Sequence, residues 1–289
     1  MTADRAVRLK TILGRKNAAL MPGVPNALFA RLVETKGFEC AYVTGAGIAN
    51  MHLGTPDIGL VSLKELVDHV WAICDATDLP MLVDCDTGFG NAINTRRTVQ
   101  MVERAGGAGA QIEDQVFPKR CGHFSGKAVI PTDEMVQKIR AAVDARINPD
   151  FQIIARTDAI AVHGVEAALE RAQAFIEAGA DATFVEAPSD RETIGLIARS
   201  LAVPQIINLV HGGRTPPIPH AELAEMGFGA TLFANAVLQS ALLAADEVLS
   251  SLKQEGSLDA MGDRLVSFEV RQAAVGKDVY DELESRYSV

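Results

Sequence analysis

Eight short apolar runs, each followed by an amphipathic stretch, recur along most of the chain and constrain its fold more than any other feature. They are residues 18–21, 40–43, 80–83, 110–112, 152–155, 182–185, 205–207 and 230–233. Runs this short read as buried strands, while the longer stretches between them carry helix start and stop signals. Ser62 before Glu65 and Ser189 before Glu192 have capping-box spacing, and Gly106-Gly107 and Gly179 stand where helices end. Strands alternating with helices predict a parallel sheet, and eight of them predict closure. The expected fold is therefore one α/β domain over residues 1–289, a (β/α)₈ TIM-like barrel with a helical extension from about residue 235. An open doubly wound sheet is the alternative, but it usually places a glycine-rich turn after its first strand. The segment MPGVPNA at residues 21–27 is not such a turn.

What ends each run points to function. Residue 43 leads into Thr44-Gly45-Ala46, residue 83 into Asp84-Cys85-Asp86, and residue 112 into Glu113-Asp114-Gln115. Residue 155 leads into Arg156-Thr157-Asp158, residue 185 into Glu186, and residue 207 into Asn208. In a barrel those strand ends converge on one mouth, where such folds carry their chemistry. Polar residues at strand ends are common individually. A set rich in carboxylates with an arginine is better explained by a site.

Within that set, strand alternation places Asp84 and Asp86 on one face and Cys85 on the other. With Glu113 on the next strand they form a hard oxygen set suited to Mg²⁺, with Mn²⁺ possible, and Asp57 in the loop TPDIG can join through water. The segment Lys119-Arg120-Cys121-Gly122-His123 surrounds a thiol with groups that lower its pKa, which suits a nucleophile or a proton donor. Cys40, Cys74 and Cys85 sit in apolar runs and read as packing residues. Arg156 has the planar fork that clamps a carboxylate, and Glu186 can hold it or orient a water. His52, His69, His163 and His220 read as structural, while the turn His211-Gly212-Gly213-Arg214 is a candidate anion cradle.

Composition narrows the partners. A formal net charge of −10 with no basic cluster speaks against nucleic acid. The most apolar stretch, residues 234–245, is broken by Asn235, Gln239 and Ser240 and is too short to span a bilayer. The N-terminus lacks a signal peptide's apolar core, and the four cysteines show no paired spacing, so the cytoplasm is the expected compartment. More apolar helix follows residue 234 than one barrel can cover, which predicts contact between subunits.

The motifs DCDTGFG, EDQVFPKRCGH and ARTDA together resemble the isocitrate lyase/phosphoenolpyruvate mutase superfamily, over nearly the whole chain. The KRCGH segment resembles its C–C lyase branch: 2-methylisocitrate lyases, 2,3-dimethylmalate lyases and oxaloacetate-cleaving hydrolases. The phosphonate-forming mutases lack the cysteine. The resemblance implies Asp86 as the direct Mg²⁺ ligand, with Asp57, Asp84 and Glu113 supporting the ion largely through water. It implies substrate contacts from Tyr42, Thr44, Gly45, Ala46, Lys119, Arg120, Gly122, His123, Arg156, Glu186 and Asn208, with Cys121 as the acid. Thr44 stands where serine is common. It also implies a homotetramer in which the eighth helix swaps between subunits.

The implied reaction is a retro-aldol cleavage to an α-keto acid and a carboxylate, with Tyr42, Asp57 or a metal-bound hydroxide as base. The alternatives are P–C bond chemistry on phosphonopyruvate or phosphoenolpyruvate, and oxaloacetate decarboxylation. Phe124 replaces the arginine of close 2-methylisocitrate lyases. Ala234 stands where those lyases carry proline and the oxaloacetate hydrolases serine, and His211 replaces a glutamate. These departures predict a C4–C6 malate-type dicarboxylate in preference to a tricarboxylate.

Overall fold

The computed structural model describes residues 2–122 and 126–288 and contains a closed barrel of parallel strands in sequence order. The strands are β1 (Ala19–Val24), β2 (Ala41–Val43), β3 (Met81–Asp84), β4 (Gly109–Glu113), β5 (Gln152–Thr157), β6 (Ala182–Val185), β7 (Gln205–Asn208) and β8 (Ala230–Phe233). β1 pairs with both β2 and β8, which closes the ring. Every expected run is a strand. Several continue past the apolar run, so that Asp84, Glu113, Arg156 and Asn208 belong to the wall itself.

Alternation along these strands explains how one wall serves both packing and chemistry. Val83, Ala110, Ile112, Ile153 and Ala155 point outward into the layer beneath the helices. Leu82, Ile154, Phe184, Ile206 and Leu232 share the cluster inside the barrel. Two residues further along the same inward files come Asp84, Arg156, Glu186 and Asn208. On β3, β5, β6 and β7 the inward file thus begins apolar, filling the barrel, and ends polar, facing its mouth.

The helices start much as the sequence suggests. Ser62 and Glu65 form a complete capping box. The expected cap at Ser189 is instead Asp190, whose carboxylate accepts from the Thr193 N–H at 2.8 Å and its hydroxyl at 3.0 Å. A carboxylate at the dipole's positive end outcompetes a serine hydroxyl, which shifts the start by one residue. Gly106 and Gly179 take the positive φ expected just beyond a helix.

Beyond β8 the chain continues as helices Ala236–Glu255, Phe268–Ala274 and Lys277–Tyr287. None of the three buries a residue. Leu242, Leu243, Leu249, Phe268 and Tyr280 are between 63% and 69% exposed. Among the described residues no helix is long and apolar enough to cross a membrane.

Candidate active site

The polar strand ends surround a cavity at the barrel mouth, lined by Tyr42, Thr44, Ala46, Asp57, Asp84, Lys119, Cys121, Gly122, Arg156, Phe184, Glu186, Asn208, Leu232, Ala234 and Asn235. Most of the sequence-derived candidates meet here. Asp86 and Glu113 lie behind this lining, each joined by an ion pair to a lining cation, Lys119 for Asp86 and Arg156 for Glu113. Gly45 donates its N–H to Asp84 Oδ2 at 3.2 Å. A Cβ there would stand 3.1 Å from the same oxygen, a tight approach that glycine avoids. The Thr44 hydroxyl accepts from the Gly47 N–H, capping the short helix Gly45–Ile48. The Arg120 side chain is exposed, and Gln115 holds its backbone through two hydrogen bonds of 2.8 and 2.9 Å. His123, like Phe124, lies outside the described residues.

Asp84 and Asp86 do share the mouth, but alternation is not what places both. β3 ends at Asp84, and Asp86 adopts a left-handed backbone with φ of 46°. Asp is one of the few non-glycine residues that tolerate this conformation, and such strain concentrates at functional positions. Asp84 is fully engaged, accepting from the N–H groups of Gly45 and Asp86 and from Gln111 Nε2. Lys119 spans Asp57 and Asp86, with 2.8 Å to Asp86 Oδ1. Its ammonium is thus paired with two carboxylates.

The electrostatics of this corner favour a cation. Burial pushes Asp86 up to about 6, with Lys119 opposing. Burial also pushes Glu113 well above the usual carboxylate range against the pull of Arg156. Glu113 Oε1 is buried without a hydrogen-bond partner among the described residues, while Asp86 Oδ1 is met by the Lys119 ammonium. Asp57, Asp84, Asp86, Glu113, Asp158 and Glu186 outnumber the cations Lys119, Lys127 and Arg156 that face them. The donor set is hard oxygen, and it suits an ion that keeps part of its water shell. Among the described residues no three such groups converge into a complete cage, so the fit lies in charge and donor type.

Tyr42 is buried and donates to Gln111 Oε1 at 2.5 Å. Burial first, then the neighbouring Asp84 charge, pushes its phenol well above the usual tyrosine range. Without a cation beside it this favours the neutral phenol, which suits a hydrogen-bond donor. Arg156 is buried over the Phe184 ring, 5.1 Å from its centroid. Its fork meets Asp158 at 2.9 and 3.2 Å, whereas Glu186 stands 4.0 Å away. Asp158, not Glu186, is its principal anchor.

Cys121 is partly exposed at the rim, unlike the other thiols. Burial pushes Cys40 to about 12, Cys74 to about 11 and Cys85 well above the ordinary thiol range. This agrees with their reading as packing residues. His69 and His220 each bond a backbone carbonyl, Glu65 and Ala18 respectively. The turn around His211 is exposed and lies outside the cavity lining.

Sequence reasoning missed Gln111, Lys127 and the anchoring role of Asp158. The period-2 pattern did place Gln111 inside the barrel two residues before Glu113, and Asp158 follows Arg156 by two. Lys127 left no local signal.

The family model described as phosphoenolpyruvate phosphomutase matches residues 9–253. The 2,3-dimethylmalate lyase of Eubacterium barkeri is 40% identical over 285 residues, covering 99% of each chain. Oxaloacetate acetylhydrolase, solved with the inhibitor 3,3-difluorooxalacetate, superposes with a TM-score of 0.92 at 35% identity, covering 98% of this chain and 97% of the other. Phosphonopyruvate hydrolase, solved with oxalate and Mg²⁺, superposes with a TM-score of 0.89 at 28% identity, covering 98% and 99%.

Proposed function

The chain belongs to the phosphoenolpyruvate phosphomutase family, and from that premise we propose that it is a metal-dependent lyase cleaving a C–C bond in a small 2-hydroxy or 2-oxo dicarboxylate. The observation that carries this reading is the carboxylate-rich corner at the mouth, facing Arg156 and Cys121 across one cavity. Magnesium is the ion we assign, with manganese able to replace it. Support comes from the oxygen donors of Asp57, Asp84, Asp86 and Glu113 and from the Mg²⁺–oxalate complex of the phosphonopyruvate hydrolase. Such an ion, when bound, would draw electrons from the substrate's 2-oxygen and adjacent carboxylate.

The chain's own groups account for the rest of the reaction. Arg156, steadied by Asp158, offers its remaining guanidinium face to a carboxylate and to the negative charge that develops as the bond breaks. Tyr42 donates a hydrogen bond at the cavity wall. Cys121 protonates the carbanionic carbon. The proton of the 2-hydroxyl passes to a base beside the carboxylate corner, for which Tyr42 and Asp57 are the candidates.

For substrate size, Phe184, Leu232 and Ala234 form an apolar wall within the lining, suited to an alkyl substituent. We assign a C4–C6 malate-type dicarboxylate, such as an alkyl malate or oxaloacetate. We also assign a homotetramer assembled through the exposed C-terminal helices, one of them exchanged between subunits. The cytoplasm is the compartment we assign, supported by four cysteines that form no disulfide.

The test is an assay of keto-acid release from substituted malates and 2-methylisocitrate and of oxalate release from oxaloacetate and water, with phosphonopyruvate followed by phosphorus NMR. Keto acid from the substituted malates, or oxalate from oxaloacetate, is expected. Efficient cleavage of 2-methylisocitrate with the dicarboxylates inert would overturn the substrate class, and turnover of phosphonopyruvate alone would overturn the reaction class.

A further inference from the structure

Lys127 is a buried cation that no step above uses. Lysines are rarely buried unless paired, and the Lys127 side chain is 1% exposed. Its ammonium reaches two acceptors from separate parts of the chain. One is the carbonyl of Gly122, next to Cys121; the other is Asp158 Oδ1 at 2.6 Å, just beyond β5. That carboxylate is the same one that holds the Arg156 fork.

The contact is built from both sides. A Cβ on Gly122 would run into Glu186 Oε1 and the Arg156 guanidinium, so its backbone is seated directly on the pair that faces the substrate. Asp158 is fixed from behind, its N–H donating to Asp114 Oδ1 at 2.9 Å. Asp114 Oδ2 in turn accepts from Thr157 Oγ1 at 2.7 Å and from Arg171 Nε at 2.8 Å. Burial works to raise the Asp158 carboxyl, but Arg156 and Lys127 outweigh it and hold it below its ordinary value. Asp158 is thus a charged hub to which Lys127's ammonium ties the backbone at Gly122.

We propose that Lys127 is a positioning residue: through Asp158 it fixes the backbone at Cys121–Gly122 in register with Arg156, so that thiol and guanidinium address one substrate. The proposal rests on the lyase reading for the thiol's purpose, but the placement it asserts does not. Holding reacting groups to within a fraction of an ångström is what such second contacts supply, and a loss of about 1 Å in register costs about 10²-fold in rate.

The test compares wild type, Lys127→Met and Lys127→Arg. Alkylation of Cys121 by iodoacetamide is followed by peptide mass spectrometry without substrate, and each variant's melting temperature is recorded. We expect alkylation at Cys121 to accelerate about tenfold in Lys127→Met and to stay near wild type in Lys127→Arg, which keeps a charged donor. With an active substrate, kcat of Lys127→Met should fall about 10²-fold while KM changes little. An unchanged Cys121 alkylation rate in folded Lys127→Met, whatever its melting temperature, overturns the proposal, since a structural prop alone would lower stability without moving the thiol. If Lys127→Met does not fold, Lys127→Gln is read by the same criterion. Because alkylation needs no turnover, its outcome is separable from failure of the lyase reading.

Discussion

The barrel wall and the C-terminal helices draw on the same residues, leucine, valine and alanine, and use them in opposite ways. In β3, β4 and β5 every residue is buried, and the inward files pass from packing to chemistry within two positions. In the helix Ala236–Glu255 no residue is buried, although Leu242, Leu243 and Leu249 would suit a core. The wall's sequence is explained by contacts inside this chain. The tail leaves these leucines exposed in this chain, and we propose that other subunits cover them.

The largest effect should fall on the wall's polar end. Asp86→Ala is expected to lower turnover by about 10³-fold, the several kcal/mol a catalytic metal supplies. Calorimetric Mg²⁺ binding should disappear while the circular dichroism spectrum is kept. Full activity in EDTA would remove the metal from the account.

Next comes packing. Phe151 is fully buried, and Phe151→Ala should cost about 3–5 kcal/mol in denaturant unfolding. Leu243→Ala, measured in dilute protein where subunits have separated, should stay within about 0.5 kcal/mol. Comparable losses at both sites would erase the contrast. The tail should show itself in association instead. Leu243→Glu with Leu249→Glu is expected to convert a tetramer into smaller species by light scattering, the barrel's dichroism unchanged, because charges are costly at a buried apolar contact. A wild-type monomer at micromolar concentration would refute the assembly.

The smallest effect is a pH dependence at the mouth. Asp86 titrates at about 6 in the fold against an ordinary value of 3.8. Its contribution to stability is therefore present below about 3.8 and is lost as pH rises through about 6. A cation reverses the preference by binding the ionised form. Mg²⁺ affinity should rise a few-fold between about pH 5.5 and 7.5, with proton release at the lower value. Affinity independent of pH would place the ion away from Asp86.

Much of the wall was legible in the sequence because both of its signals are local. Short apolar runs mark strands, and a polar residue two positions beyond an inward apolar one marks the mouth. What was not legible depends on partners distant in sequence or on an irregular backbone. Alternation predicts a shared face for Asp84 and Asp86, but the left-handed turn at Asp86 is what turns the second carboxylate inward. The basic residues beside Cys121 suggest a thiol activated by its neighbours, yet Lys119 answers to Asp57, 62 residues away. Tyr42 shows no partner nearby in sequence, yet it donates to Gln111, 69 residues on. Lys127 meets Asp158 31 residues ahead, and nothing around it in sequence announces the meeting.

The central claim is that a C–C bond breaks at the mouth and that Cys121 delivers the proton to the carbon left behind. Turnover of a substituted malate in deuterium oxide with Mg²⁺, read by proton NMR, tests it most directly. The account predicts one deuterium on that carbon of the carboxylate product, and a fall of about 10²-fold or more in rate for Cys121→Ser. An intact malate alongside phosphate released from phosphonopyruvate, or a Cys121→Ser enzyme that labels product at the wild-type rate, would contradict it.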